Sequence, residues 1–154
     1  MKKSIILLLV PFFSFCQLEK YENFMPTSLT GEVGHQQYYS FSFSKKYESS
    51  EWTIYYSNKK TLEYKYPRQN LRFRDNPDYP EYDNRDFAAY YRSGYDRGHM
   101  VPARSMSFDS DAMAESFYST NITPMLPIVN RGIWKLVEQK EHDWVREKNE
   151  LILI

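Results

Sequence analysis

The sequence predicts an α+β fold with an antiparallel sheet, and three patterns carry that reading. Tyr39, Phe41 and Phe43 alternate with Ser40, Ser42 and Ser44, the period of two of a strand with one face in a core. Glu51–Tyr56 (EWTIYY) is β-branched and aromatic and comes after a polar loop over 45–50, so it reads as the antiparallel partner. Ile133, Trp134, Val137 and Trp144 recur at roughly helical spacing among Lys and Glu, which predicts a helix over 130–147 with its Trp and Ile face in the core. A length of 154 residues suits one domain.

From the N-terminus, Met1-Lys2-Lys3 and the apolar run from Ser4 to Phe15 have the form of a secretory signal peptide over 1–16, with cleavage near Cys16/Gln17 and secreted or periplasmic release. Lipoprotein anchoring at Cys16 ranks second, and the run is too short to span a membrane, so no stable membrane association is expected. Residues 17–36 read as a polar lead-in, and 37–154 as the folded part. After the two strands, residues 58–86 lack periodicity and form a long loop, a common place for function. Asp109 or Ser110 caps a short helix over 111–117. Met100–Ala103 reads as extended because Pro102 disfavours helix before it. Residues 120–127, with two prolines, read as loop, and Leu151–Ile154 as the start of a strand.

Composition removes several classes of function. Twenty basic residues balance twenty acidic ones, which excludes a histone-like or polybasic protein. One cysteine excludes a disulfide framework and a CxxC metal site. Positive charge is instead local: Lys59, Lys60, Lys65, Arg68, Arg72 and Arg74 fall within sixteen residues, interleaved with Tyr64, Tyr66 and Phe73. A charge run is usually a solvated face. The tetrad Asp96-Arg97-Gly98-His99, downstream in the chain, lifts the functional reading of this one.

Imidazole moves protons near neutrality. Guanidinium grips phosphate with two parallel bonds, and glycine admits close backbone approach. Asn130 and Glu138, eight residues apart, project from nearly the same helical face. An amide oxygen and a carboxylate there could hold a hydrated hard cation such as Mg²⁺. The three histidines at 35, 99 and 142 have no metal-ligand spacing, and Glu138 with His142 reads as no more than a helix-surface pair.

The string from Ser93 to Ala103 (SGYDRGHMVPA) resembles the active-site signature of the DNA/RNA non-specific endonucleases, the ββα-metal or His-Me finger nucleases that include endonuclease G. The resemblance continues through Met113–Tyr118 (MAESFY), Ser119–Pro124 (STNITP) and Asn130–Trp134 (NRGIW), and Glu138 falls where the family places an acid. It implies the ββα-metal fold and a one-metal phosphodiester hydrolysis of DNA and RNA that leaves 5′-phosphate ends. His99 would be the general base. Asn130 would be the direct ligand of Mg²⁺, for which Mn²⁺ could substitute, and Glu138 would reach the ion through water. Arg97 would steady the phosphate, helped by a second arginine, best matched by Arg68 with Arg72 as the competing register. Asp96 and Asn121 would support the site, and Lys65, Arg72 and Arg74 would contact nucleic acid. Met125 stands where the family commonly has Gln. Family domains continue beyond the helix, so the resemblance also implies a domain incomplete at its C-terminus. The rival reading is an inactive nucleic-acid-binding remnant.

Overall fold

The computed structural model describes residues 18–82 and 87–154. The expected signal peptide lies outside the described residues. The order is α1 (Leu18–Tyr21), β1 (Glu32–His35), β2 (Tyr39–Ser44), β3 (Ser49–Asn58), β4 (Asp96–His99), α2 (Ser110–Glu115), β5 (Ile122–Met125), α3 (Lys135–Lys148) and β6 (Glu150–Leu153). Short 3₁₀ turns punctuate the connections, and a π-helical turn over Val129–Trp134 leads directly into α3. Two antiparallel sheets result: a four-stranded one in the order β1-β2-β3-β6, and the two-stranded ribbon β4-β5. The expected α+β class is what the chain forms.

The β2–β3 pairing appears where alternation predicts it, with Tyr39 opposite Tyr55 and Phe41 opposite Thr53. Tyr39, Phe41, Phe43 and Tyr55 point into the main core with Tyr82, Val101 and Met106. The serine face departs from the half-buried strand expected, since all six residues of β2 are buried. Serines are short, so their face leaves room for Trp52, Ile54 and Tyr56 of β3, and α1 closes over these through Tyr21. The hydroxyls keep partners: Ser40 Oγ bonds the Tyr21 hydroxyl at 3.2 Å and Ser44 Oγ bonds Thr30 Oγ1 at 2.7 Å. The lead-in is therefore part of the fold and supplies both the cover and β1. Gly34 of β1 is required by close approach, because an added Cβ would meet the Phe41 ring at 2.5–3.0 Å.

Two local expectations shift. The extended piece near the tetrad is the tetrad itself, and Ala103–Met106 winds into a 3₁₀ turn. Residues 122–125 form β5 rather than loop. Proline is tolerated there because β5 pairs on one side only, with Pro124 opposite Arg97. The capped helix is as expected: Asp109 accepts from the backbone N–H groups of Asp111 and Ala112 at 2.8 and 3.1 Å.

Helix α3 also orients against expectation. Its buried residues are His142 and Val145, while Ile133, Leu136 and Trp144 are 60, 59 and 43% exposed. Tyr55, Ser105 and the rest of the core take the polar stripe instead. His142 Nε2 bonds Ser105 Oγ at 2.9 Å, and the Tyr55 hydroxyl donates to Glu141 at 2.9 Å. His142 is thus a buried, satisfied group and not a surface partner of Glu138. Among the described residues, no helix is long and apolar enough to cross a membrane.

Candidate active site

Alternation along β4 turns Arg97 and His99 to one face of the ribbon and Asp96 and Gly98 to the other. Gly98 is required by packing, since a Cβ there would meet the Met125 side chain at 2.6–2.9 Å. Met125, the departure from the family pattern, thus fills the space next to the tetrad with hydrocarbon and sulfur. After β4 the chain is fixed by Asn121. Its side chain accepts from Val101 N at 2.8 Å and donates to Val101 O at 3.0 Å and Ser116 O at 2.8 Å. Asn121 is fully buried and holds the backbone just beyond His99, at one remove from the cleft.

The long basic loop is tied by backbone bonds to the segment that connects β4 to β5. Lys65 N and Tyr66 N both donate to Ser107 O, at 3.0 and 2.8 Å, and Arg74 N donates to Phe117 O at 3.2 Å. The fold thereby brings Arg68, Arg97, His99, Asn130 and Glu138 to the walls of a single cleft of about 590 Å³. Tyr64 and Arg104 line it too, and sequence reasoning missed both. Tyr64 lay in the basic aromatic stretch, which was a usable signal. Arg104 sits one residue past the SGYDRGHMVPA string, in a turn that periodicity does not reveal.

His99 packs edge-on against Phe117, with centroids 5.0 Å apart, and tilted against Phe73 at 5.4 Å. Desolvation by these rings, then the charge of Arg68, depress its pKa to about 4, so the imidazole is neutral at pH 7. Its Nε2 is buried with no hydrogen-bond partner among the described residues. The two arginines are held by aromatic faces: Arg97 lies 4.7 Å from the Phe73 centroid and Arg68 5.8 Å from that of Phe117. Arg68, not Arg72, is the loop arginine in the cleft. Arg72 and Arg74 stay outside its walls, Arg74 over the Tyr118 ring at 4.9 Å, and Lys65 pairs with Glu63 at 2.7 Å.

Asn130 enters from the π-helical turn. Its Nδ2 donates to Asp96 Oδ2 at 3.0 Å, and Arg131 closes a fork on the same carboxylate at 2.7 and 2.6 Å. These bonds, Arg131 first and Asn130 next, hold the Asp96 pKa down at about 2. A carboxylate only accepts, so the amide nitrogen must face Asp96, which leaves the carbonyl oxygen for a ligand. Trp134 Nε1 donates to His99 O at 3.0 Å and ties this turn to β4. Glu138 is raised to about 7, first by burial and then by Glu141, against the pull of Arg68 and Lys135. Among the described residues no three His, Cys, Asp or Glu side chains cluster to hold a metal. An ion in this cleft would rest on Asn130 and Glu138, the sparse oxygen set that suits a cation keeping most of its waters.

The sequence profile of the DNA/RNA non-specific endonuclease family matches residues 18–154. The chain belongs to this family. It is 30% identical over 111 residues to the mitochondrial nuclease EXOG of Xenopus laevis, covering 71% of this chain and 31% of that protein. It is 38% identical over 72 residues to the mitochondrial nuclease of Saccharomyces cerevisiae, covering 46% and 22%. A chain of the EndoG/EndoGI complex shares the fold, with a TM-score of 0.72 at 21% identity over 81% of this chain and 53% of that one. The chain thus spans about half the length of that structural neighbour and under a third of these family relatives. The kinship corrects one expectation: these family members are mitochondrial nucleases, so the secreted or periplasmic assignment, and the signal peptide with it, is withdrawn. A charged start and an apolar stretch are a compositional pattern, and composition alone did not decide the address.

Proposed function

We propose that this chain is a metal-dependent endonuclease that hydrolyses phosphodiester bonds of DNA and RNA, leaving 5′-phosphate ends. The observation that carries the reading is the meeting of Arg68, Arg97, His99, Asn130 and Glu138 on one cleft from three separate segments. His99, neutral at physiological pH, takes a proton from the attacking water. Arg97 and Arg68, already anchored on aromatic faces, bind the phosphate and oppose the charge that develops on it. Asn130 would hold a divalent cation such as Mg²⁺ or Mn²⁺ with Glu138 assisting through water. The ion would supply Lewis-acid stabilisation at the phosphate. Asp96 keeps the Asn130 amide in one orientation. A general base contributes about 10²–10⁴-fold, well short of a nuclease's whole acceleration, so the arginines and the ion must supply the rest. A site that grips mainly phosphate carries little base information, which accounts for activity on both nucleic acids.

Digestion of plasmid DNA and of RNA with Mg²⁺, with EDTA, and by His99→Ala tests the proposal. Cleavage should require the cation and fall by about 10²–10⁴-fold in the variant. Equal digestion by His99→Ala overturns the base assignment, and undiminished digestion in EDTA overturns the role of Asn130.

A further inference from the structure

We propose that a tyrosine-lined cavity beside the cleft is a nucleobase subsite, which stacks an unpaired base of the strand whose phosphate lies at His99. This rests on the nuclease reading above. The cavity has a volume of about 260 Å³ and is lined by Tyr47, Glu48, Tyr90, Tyr95 and Pro124 among others. That is just below the roughly 300–1,000 Å³ of pockets for drug-sized ligands, so it suits one planar ring system. Tyr47 and Tyr95 are 63 and 48% exposed, so their rings are accessible from solvent.

Three observations join this cavity to the cleft. Pro124 lies directly opposite Arg97 in the ribbon and so shares its face. Tyr95 lines the cavity and comes two residues before Arg97, which lines the cleft, a separation of at most roughly 7 Å of chain. A row of rings connects the two sites: His99 to Phe73 at 5.4 Å, Phe73 to Phe87 at 5.7 Å, and Phe87 to Tyr90 at 6.4 Å. Cations flank the cavity without lining it, Lys46 at 4.9 Å from the Tyr47 ring centroid and Arg97 in the neighbouring cleft, where they can meet the phosphates on either side of a bound base. Glu48 offers acceptors to the N–H groups of a base. The turn carrying Tyr47 and Glu48 is pinned to β5 by the bond of Ser49 Oγ to Thr123 Oγ1 at 2.8 Å, so the walls are set before a ligand arrives.

The test uses a short single-stranded DNA oligonucleotide carrying 2-aminopurine, whose fluorescence is quenched on stacking. In EDTA, wild-type protein should quench it. Tyr47→Ala and Tyr95→Ala should each weaken binding about 5–150-fold, the range of base–aromatic stacking, while Tyr95→Phe binds like wild type and melting temperatures stay unchanged. With Mg²⁺, KM for the oligonucleotide should rise by the same factor at constant kcat. An abasic residue in place of 2-aminopurine should cost wild type that factor and cost the alanine variants nothing more. Unchanged quenching and KM in both alanine variants overturns the subsite. A wild type that quenches but cleaves nothing would instead sink the nuclease reading and leave the subsite standing.

Discussion

His99 shows how a single residue's surroundings set its chemistry. A histidine between Phe73 and Phe117 cannot easily carry charge, and Arg68 adds repulsion. The unfolded ring titrates near 6.5 and the folded one near 4. The fold must therefore give up stability as pH falls through that interval, where the unfolded chain binds the proton first. The ¹H–¹³C spectrum of the His99 ring should keep its neutral shifts from pH 8 down to pH 5; a midpoint near 6.5 would show that the aromatic cage does not hold in solution. In the proposed mechanism Asp96 acts through Asn130, which its carboxylate holds at 3.0 Å. Asp96→Asn keeps the size but loses the carboxylate that grips the amide of Asn130 and the fork of Arg131. Losses of an orienting partner run about 10–100-fold. That fall in Mg²⁺-stimulated cleavage is expected, with a larger Mg²⁺ requirement as its signature.

At the scale of elements, the ribbon β4–β5 depends on an absent side chain. Gly98→Ala drives a methyl into Met125 and should cost about 1–3 kcal/mol by thermal or urea unfolding. Because the two side chains share one space, Met125→Ala should restore much of that loss, so the double variant will not be the sum of the singles. Additive losses would mean that strain elsewhere, not this contact, limits the position. On α3, truncating exposed Leu136 should change stability by less than about 0.5 kcal/mol, whereas Val145→Ala, in the core, should cost about 1–3 kcal/mol.

These elements also divide what the sequence reveals from what it conceals. The tetrad, Asn130 and Glu138 stood out because they fall in the motifs that resemble the family, and the Tyr-Phe-Phe alternation because a strand repeats every two residues. The orientation of α3 did not. Ile133, Trp134, Val137 and Trp144 look like a core stripe by hydropathy, yet the core presents polar groups to α3: Ser105, which bonds His142, and the Tyr55 hydroxyl, which donates to Glu141. The burial of the β2 serines escaped for the complementary reason, since small polar residues become interior only when larger neighbours supply the volume. The choice of Arg68 over Arg72 needed the tertiary course of a loop without periodicity.

For the molecule as a whole, neutrality overall with cations gathered at one cleft sets how binding responds to salt. Affinity for nucleic acid should fall steeply between about 50 and 200 mM salt, with a slope that records how many phosphates are neutralised. Arg97→Ala should lower that slope by about one. Global stability should carry a separate pH signature from Glu115. Burial, then the nearby Asp78 charge against its bonds to the backbone of Tyr38 and Gln37, raise this carboxyl to about 7, and its Oε2 is buried without a partner among the described residues. The folded form binds this proton more tightly than the unfolded chain, so stability is full below about pH 4.5 and is lost as pH rises toward 7. Glu115→Gln should raise the melting point at pH 8 by an amount worth about 1–3 kcal/mol and do little at pH 4; equal shifts at both pH values would rule out the proton as the cause.

The π-helical turn at 129–134 has a further consequence for variation in length. An extra residue in one turn changes the angular phase between the segments on its two sides, by about 100° on a helix of 3.6 residues per turn. Removing Gly132, which touches nothing that a side chain would meet, would let the segment relax into ordinary helix. Such a protein would keep its sheet and its hydrophobic interior while swinging the carboxamide away from the imidazole. A one-residue indel here is therefore expected to carry Asn130 out of the cleft that Arg68, Arg97 and His99 line, while the sheets and the core stay in place.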